Sequence, residues 1–159
     1  MTNKFLIAPA HDSPPFAVVG WQAAAQEKRN ELYESIPAAY RLPPPLGEQA
    51  QSERGLQPED PAILSCGILG DLDIEITLID DVSVLLDRIG NRRYTSVQVA
   101  TAFCKRAAIA QQCTGCLTEF MYDKAIERAT YLDNYLANAG RTVGLLHGLP
   151  VSLKVSACG

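Results

Sequence analysis

The sequence predicts an α/β domain, because segments with helical spacing of apolar residues alternate with short runs typical of β-strands. Beyond residue 61, three segments have apolar residues at helical spacing, and two short apolar runs cover 117–121 and 151–154. Their order is helix, helix, strand, helix, strand. This order predicts an α/β fold in which the sheet is only begun.

The composition indicates one globular domain and excludes several classes of protein. A chain of 159 residues with 47% hydrophobic and 20% charged residues is neither disordered nor membrane-like on average. The formal net charge of −4 is a poor balance for nucleic-acid binding, which usually requires a basic face. No apolar run approaches the length of a membrane span, so we expect no nucleic-acid or membrane partner.

Residues 1–16 are predicted to form a flexible leader that ends in a proline pair. The apolar run Phe5–Ala8 could open a signal peptide, but Pro9 and the polar residues after it interrupt that run too early. We therefore expect a cytoplasmic protein.

The first helix is predicted over 21–36, and a linker follows it. Good helix formers fill this segment, and Lys28 interrupts an apolar stripe that contains Trp21, Ala24, Ala25, Leu32 and Ile36. Pro37 ends the helix. Residues 37–61 contain six prolines and two glycines among polar residues, which predicts a linker-like surface loop without core residues.

A second helix is predicted to begin at Asp80, whose side chain can cap it. Apolar residues at i, i+3, i+4 and i+7 form one face of this helix: Val82, Leu85, Leu86 and Ile89. Gly90 follows at the position where a left-handed residue often ends a helix. Asp80 and Asp81 are therefore interpreted as capping residues rather than as a catalytic pair of carboxylates.

Two longer helices are predicted on either side of the alternating strand segment 117–121. Thr95 and Gln98 form a capping box that begins the first of them. The buried stripe of this helix contains Val99, Phe103 and Ala107. The second covers 123–139 and ends at Gly140.

The residues that could bind a metal or carry redox chemistry are few and scattered. Cys113 and Cys116 form one CxxC pair, but a structural zinc site needs four ligands and the sequence has no second pair. The pair follows a helical segment, unlike a thioredoxin-type motif. We interpret both as ordinary loop or core cysteines and predict no metal or cofactor, with a metal or redox role as the alternative.

Two further candidates are interpreted as structural. The acids of Asp71–Glu75 alternate as they do in calcium loops, but Ile76 stands where such a loop needs glycine. His147 sits in a glycine-bounded turn without a serine-and-acid pattern nearby in the sequence. Turn formation or packing is therefore the favoured role of His147.

Lys154 stands at the end of the last predicted strand. The turn 144–150 leads into the strand 151–154, and strand ends are where α/β enzymes present reactive groups. Lysine is nevertheless mostly exposed in proteins, so this position alone favours an ordinary surface residue over a catalytic one.

The segment GLLHGLPVSLK, residues 144–154, resembles the catalytic-lysine motif of the amidase signature family. Residues 95–120 and 128–150 resemble the corresponding stretches of fungal acetamidase-like members, as do the first helix and residues 65–77. The resemblance covers roughly residues 18–154 in several segments with the right order and spacing, which makes it specific.

The resemblance implies amide hydrolysis. Members of this family cleave carboxamides to acid and ammonia with a serine nucleophile, a second serine in a cis peptide and a lysine that acts as base. Lys154 matches this lysine. A free lysine has a pKa of about 10.4, so such a base needs a site that lowers its pKa by desolvation. The implied fold is an α/β/α mixed sheet, the implied substrate is a small carboxamide, and no cofactor is implied.

The sequence departs from the family after the lysine. Val155 stands where the family usually has aspartate, and residues 155–159 match nothing expected. The glycine- and serine-rich segment that supplies both serines has no counterpart in the chain, and Ser152 and Ser156 do not stand in such a segment. We therefore expect 17–154 to be the amino-terminal part of an amidase domain, truncated after the lysine motif and inactive alone.

A second class of function stays open. The chain would then be a non-catalytic helical interaction module that associates with itself or with a full-length amidase. In that case, the apolar faces and strand edges of an incomplete sheet would supply the contacts.

Overall fold

The computed structural model describes residues 20–52 and 55–153. The predicted leader 1–16, Lys154 and the predicted tail 155–159 lie outside these residues. In the described residues, seven α-helices follow one another: α1 Trp21–Ser35, α2 Pro44–Ala50, α3 Pro61–Leu64, α4 Asp71–Thr77, α5 Val82–Gly90, α6 Ser96–Thr114 and α7 Tyr122–Ala139. A 3-10 helix, Ala38–Tyr40, lies between α1 and α2. None of the helices in these two ranges is both long and apolar enough to cross a membrane.

Helix α6 is the centre of the fold, because it packs against α7, α4, α2 and the 3-10 helix. Its carboxyl-terminal half contributes Ile109 to a first core cluster, whose other buried members are Leu42, Ala50, Ile63, Ile68 and Leu69. Its amino-terminal half contributes Val99 and Ala102 to a second core cluster, whose other buried members are Ile76, Leu85, Ile89 and Tyr94. One helix therefore takes part in both hydrophobic cores.

The amino terminus of α6 is capped from two directions. The capping box predicted from Thr95 and Gln98 is present, with Thr95 Oγ1 3.0 Å from the Gln98 amide nitrogen. Asp133, on α7, accepts hydrogen bonds from the amides of Ser96 at 2.6 Å and Val97 at 3.1 Å. Because the first amides of a helix have no partner within it, the Asp133 carboxylate both satisfies α6 and fixes α7 against it.

The carboxyl terminus of α7 is closed by a predicted glycine and by an arginine that was not predicted. Gly140 follows the helix with φ +68°, the left-handed conformation that ends many helices. The Arg92 guanidinium donates to the Leu136 carbonyl oxygen at 2.8 Å. Arg92 itself has φ +60°, which is uncommon for a residue with a side chain. The connection between α5 and α6 is thereby tied to α7.

The predicted strand at 117–121 is wrong, and no β-strand occurs within the described ranges. Residues 117–121 form an irregular connection between α6 and α7. The Leu117 amide donates to Gln111 Oε1 at 2.6 Å, so a side chain of α6 accepts the hydrogen bond that a neighbouring strand would accept in a sheet. Residues 151–153 of the other predicted strand also lack regular structure. The α/β prediction is confirmed only for its helices.

Residues 37–61 differ from the linker-like loop that their prolines predict. They include the 3-10 helix and α2, and Leu42 and Ala50 are buried in the first core cluster. Pro44 and Pro61 lie in the first turns of α2 and α3, where the missing amide of proline costs no helical hydrogen bond. Prolines that predict a loop therefore begin short helices here.

Helix α1 buries less of its apolar stripe than its sequence predicts. Leu32 and Ile36 at its carboxyl-terminal end are buried, whereas Trp21 at its start is 72% exposed. The Arg41 guanidinium donates to the carbonyl oxygens of Ile36 and Glu34 and holds this end of the helix. The periodicity identifies the helix, but it does not show how far along the stripe the neighbouring elements reach.

The acidic stretch Asp71–Glu75 forms most of α4. Asp73 accepts a hydrogen bond from the Gly70 amide at 2.8 Å, which caps the helix, and another from Lys105 Nζ on α6 at 2.6 Å. The Lys105 and Asp73 side chains are 19% and 13% exposed. This sheltered ion pair holds α4 against α6, so the acids serve helix formation and packing.

Helix α5 is capped one residue later than predicted. Asp81, rather than Asp80, is the N-cap, and its carboxylate accepts from the Ser83 amide at 2.8 Å and the Ser83 hydroxyl at 2.6 Å. These hydrogen bonds lower the pKa of Asp81. Gly90 is the last residue of the helix and not the residue after it. The capping interpretation is thus confirmed for the second acid of the pair.

We expect Asp133→Ala to lower the free energy of unfolding by about 2 kcal/mol, because two α6 amides lose a charged acceptor. Asn134→Ala is the matched control, since Asn134 is exposed on the same helix. Its effect should stay within about 0.5 kcal/mol. Urea denaturation followed by circular dichroism measures both variants, and equal losses would contradict a capping role for Asp133.

Lys105→Met keeps the aliphatic stem of the side chain but leaves the Asp73 carboxylate without its cation. We expect a loss of about 2 kcal/mol in the free energy of unfolding, less than for a fully buried pair because both side chains keep some exposure. Lys28→Met is the control, because the Lys28–Glu31 pair is exposed and should contribute about 0–0.5 kcal/mol. If urea denaturation gives the same loss for both variants, the sheltered pair does not stabilise the packing of α4 on α6.

Candidate active site

The turn that precedes Lys154 packs onto the amino terminus of α6. Gly148, within the turn 144–150, has φ +77°, and a Cβ at this residue would lie 2.7 Å from Ser96 Oγ. Leu149 packs against the second core cluster. Residue 148 must therefore be glycine, both for its backbone conformation and for the close approach of α6.

His147 is the buried side chain of this turn, with 5% of its surface exposed. Its Nδ1 accepts a hydrogen bond from the Val143 amide at 3.1 Å, and its own amide donates to the Gly144 carbonyl oxygen at 3.2 Å. An imidazole that accepts at Nδ1 is neutral and carries its proton on Nε2. Burial lowers the pKa of His147; the nearby Asp133 carboxylate opposes this effect and Arg128 adds to it.

The fold brings Ser96, Asp133 and His147 into one region, although they are far apart in the sequence. Asp133 binds the Ser96 amide, and Gly148, next to His147, lies against the Ser96 side chain. The three residue types are those of a hydrolytic triad, but the geometry does not fit one. Ser96 is fully buried, Asp133 is bound to α6 amides, and Nδ1 of His147 faces the Val143 amide.

The interpretation of His147 as a turn and packing residue is therefore confirmed. Sequence reasoning did not find its neighbours, the buried Ser96 and the partly buried Asp133. Each of these two is explained locally, Ser96 as the start of a helix and Asp133 as one polar residue in the middle of another. No local pattern connects them to His147, because the connection exists only after α6, α7 and the turn have packed together.

The segment between this turn and Lys154 is exposed and apolar. Val151 and Leu153 are largely exposed, as are Leu145 and Leu146 on the outer side of the turn. Lys154, the predicted base, lies outside the described residues. The part of the site that the structure describes is the turn 144–150, which packs on α6 and leads into the lysine segment.

The CxxC cysteines occupy different surroundings. Cys113 packs against the first core cluster, and Cys116 is exposed. Burial raises the pKa of the Cys113 thiol, and the carboxylates of Asp60 and Glu59 raise it further. A thiol that stays protonated is a poor nucleophile and a poor metal ligand, which supports the structural interpretation of Cys113. Within the two described ranges, no three His, Cys, Asp or Glu side chains are grouped so that they could hold a metal ion.

Comparison with known proteins agrees with the resemblance seen in the sequence. A family model described as Amidase matches residues 98–158. An amidase of Gibberella moniliformis is 40% identical over 138 residues, which cover 87% of this chain and 26% of that protein. An acetamidase of Emericella nidulans is 39% identical over 137 residues, which cover 84% of this chain and 23% of that protein. The chain thus spans about a quarter of the length of these relatives.

The fold leads to the same class of protein. The structure of a fatty acid amide hydrolase superimposes with a TM-score of 0.67 and 29% identity, over 82% of this chain and 23% of that one. The helices described above therefore have the arrangement found in part of an amide hydrolase. The chain is a member of the amidase signature family, and its relatives place it among the fungal acetamidase-like proteins.

We expect Gly148→Ala to destabilise the protein by about 2 kcal/mol, because alanine adds left-handed strain to a close contact with Ser96. Gly144→Ala, in the same turn, is the control: a Cβ there meets no atom within 4 Å. Its effect should stay below about 0.5 kcal/mol. Urea denaturation measures both variants.

Adding Ser96→Ala to Gly148→Ala should recover part of this loss, because it removes the nearest atom and leaves only the backbone strain and the remaining contacts. A Gly148→Ala protein as stable as the Gly144→Ala protein would show that the turn does not pack on α6 as described.

Proposed function

We propose that the chain is the amino-terminal part of an amidase and that Lys154 is its catalytic base. The observation that carries this proposal is the range 98–158 of the family match, which includes the lysine motif and the turn before it. In this proposal, the amidase domain begins near residue 17 and includes the lysine motif. The family match continues to residue 158, so it does not support the separate tail that the sequence predicts for 155–159. Residues 151–154 become a strand when the rest of an α/β/α mixed sheet is present.

The proposed mechanism needs a neutral lysine. An unprotonated Lys154 amine would take a proton through the bridging serine and so activate the nucleophilic serine, which attacks the amide carbonyl. The C–N bond would then break as the leaving nitrogen takes the proton back through the bridging serine, and water would hydrolyse the acyl-serine to release the acid. Desolvation beside an apolar sheet would lower the pKa of the lysine enough for this role. The two serines of the family have no counterpart in residues 1–159, so we expect these residues alone to hydrolyse no amide. No metal or cofactor takes part.

The proposed substrate class is the carboxamides. One relative is named an acetamidase and the structural neighbour a fatty acid amide hydrolase, so the common group is the amide and not the acyl chain. Carboxylate and ammonia, or an amine, are the proposed products. We place the reaction in the cytoplasm, as the sequence predicts.

The exposed apolar segment favours a second candidate function. Leu145, Leu146, Val151 and Leu153 together present a surface that monomeric proteins usually cover. The chain would then be a non-catalytic interaction module that associates with itself or with a full-length amidase.

A chimera tests the catalytic proposal. Residues 18–154 replace the matching part of the Emericella nidulans acetamidase, and ammonia release from acetamide is measured. We expect the chimera to be active and Lys154→Met to lower kcat by at least about 10³-fold, because the base is lost while the rest of the site remains. Lys124→Met is the control, since Lys124 is exposed on α7. An active Lys154→Met chimera would overturn the assignment of the base.

The mass of the native protein separates the two candidate functions. An antibody against residues 95–140 should detect a band several times heavier than 17.3 kDa if these residues belong to a working amidase. A band at 17.3 kDa that co-purifies with a longer amidase would favour the interaction module.

A further inference from the structure

We propose that His147 is a positioning residue for Lys154: its neutral imidazole holds the turn closed and thereby sets the direction in which the chain enters the lysine segment. This inference rests on the proposed function of Lys154. The turn itself, its contacts and its protonation chemistry are features of the described residues.

The closed form of the turn depends on His147 Nδ1. The Val143 amide donates to this nitrogen at 3.1 Å, so the side chain of the turn binds the backbone at its entrance. Two backbone hydrogen bonds complete the turn: from the His147 amide to the Gly144 carbonyl and from the Leu149 amide to the Leu146 carbonyl, each 3.2 Å long. The imidazole thus connects the start of the turn to its buried centre.

The inner side of the turn is anchored to the body of the protein. Gly148 lies against Ser96 and Ile89, and Leu149 packs on the second core cluster. After Leu149 the chain leaves the core, since Val151 and Leu153 are exposed. The last anchored part of the chain before Lys154 is therefore the part that the imidazole holds closed.

A small change in backbone direction at this anchor would displace the lysine. Residues in an extended segment advance by about 3.3 Å each, so a change in direction at Leu149 displaces an atom several residues later by a larger distance. Catalysis is sensitive to displacements of about 1 Å in a reacting group. A residue that fixes the direction of the chain at Leu149 therefore affects the rate without contacting the substrate.

Protonation would open the contact. A second proton on the imidazole sits on Nδ1 and turns this acceptor into a donor, so the Val143 amide loses its partner. The charged groups that face the ring are on α7: Asp133 favours the imidazolium, and Arg128 disfavours it. The residues that α5 and α6 place against the adjacent Gly148, Ile89 and Ser96, carry no charge. Since burial lowers the pKa of His147, the neutral form prevails at neutral pH.

The sign of the pH effect follows from linkage. The folded-state pKa of His147 lies below its value in the unfolded chain, which is about 6.5. The contribution of the neutral imidazole is therefore complete above about pH 6.5 and is lost as the pH falls through the folded-state pKa. The turn should open in acid and stay closed at neutral pH.

Two substitutions separate the hydrogen bond from the charge. His147→Asn places an amide oxygen close to the position of Nδ1, so it keeps an acceptor for the Val143 amide but cannot be protonated in this pH range. His147→Leu fills the site without an acceptor. Amide hydrogen exchange in the 159-residue chain is followed by NMR from about pH 8 to about pH 4, with intrinsic rates corrected at each pH.

We expect the Val143 amide of the unsubstituted protein to lose at least about 10-fold of its protection as the pH falls below the His147 pKa. His147→Asn should keep the protection over the whole range, and His147→Leu should lack it at every pH. The Ala102 amide, inside α6, is the reference for global unfolding, so a variant that simply fails to fold is recognised. If His147→Leu protects Val143 as well as histidine does, or His147→Asn protects it no better than leucine, the proposal fails.

The same variants in the chimera test the effect on the lysine. His147→Leu should lower kcat by about 10²-fold with KM changed by less than about 2-fold, and His147→Asn should restore kcat. An unchanged kcat in an active chimera overturns the positioning role even if the hydrogen bond is present. An inactive chimera before substitution contradicts the proposed function instead, and the Val143 exchange still decides whether His147 closes the turn.

Discussion

The hydrogen bonds that the first amides of α6 donate to the Asp133 carboxylate are the contact on which the rest of the structure depends. Helix α6 takes part in both core clusters, so its position decides where α2, α4 and α7 lie. Its amino terminus carries the positive end of the helix dipole and amides without helical partners. The Asp133 carboxylate from α7 accepts hydrogen bonds from these amides and places a negative charge at the positive end of the dipole. It thereby fixes the angle at which the two longest helices of the described chain meet.

The candidate site uses the same point of the structure. The turn before Lys154 packs on Ser96, the first residue of α6. The Asp133 carboxylate interacts electrostatically with the imidazole of His147 in this turn and raises its pKa against the effect of burial. A left-handed glycine, a buried histidine and a helix terminus are thereby packed together at the entrance to the lysine segment. Each of them restricts the path of the backbone. The apolar residues on both sides of this anchor remain exposed in the described chain.

Much of the helical structure could be predicted, and the reason is that its determinants are local. The capping box of Thr95 and Gln98 and the left-handed Gly140 act within a few residues of the helix ends that they define. Strand prediction failed at 117–121 because alternation of apolar and polar residues shows only that a segment could pair with a neighbouring strand. The side chain of Gln111 accepts the Leu117 amide there, and no pattern within the segment could show it.

For the candidate site, local pattern and family resemblance contributed different parts. Position alone favoured a surface role for Lys154, and the resemblance over several segments made it a candidate base. The order and type of the helices α5 to α7 could be predicted from residues close together in the sequence, because helical periodicity and caps act over short separations. The family could be recognised from short motifs for the same reason. The contacts of Asp133 with Ser96, of Lys105 with Asp73 and of Gly148 with Ser96 join residues far apart in the chain. Such contacts depend on how helices pack in three dimensions, so they emerged only from the folded structure.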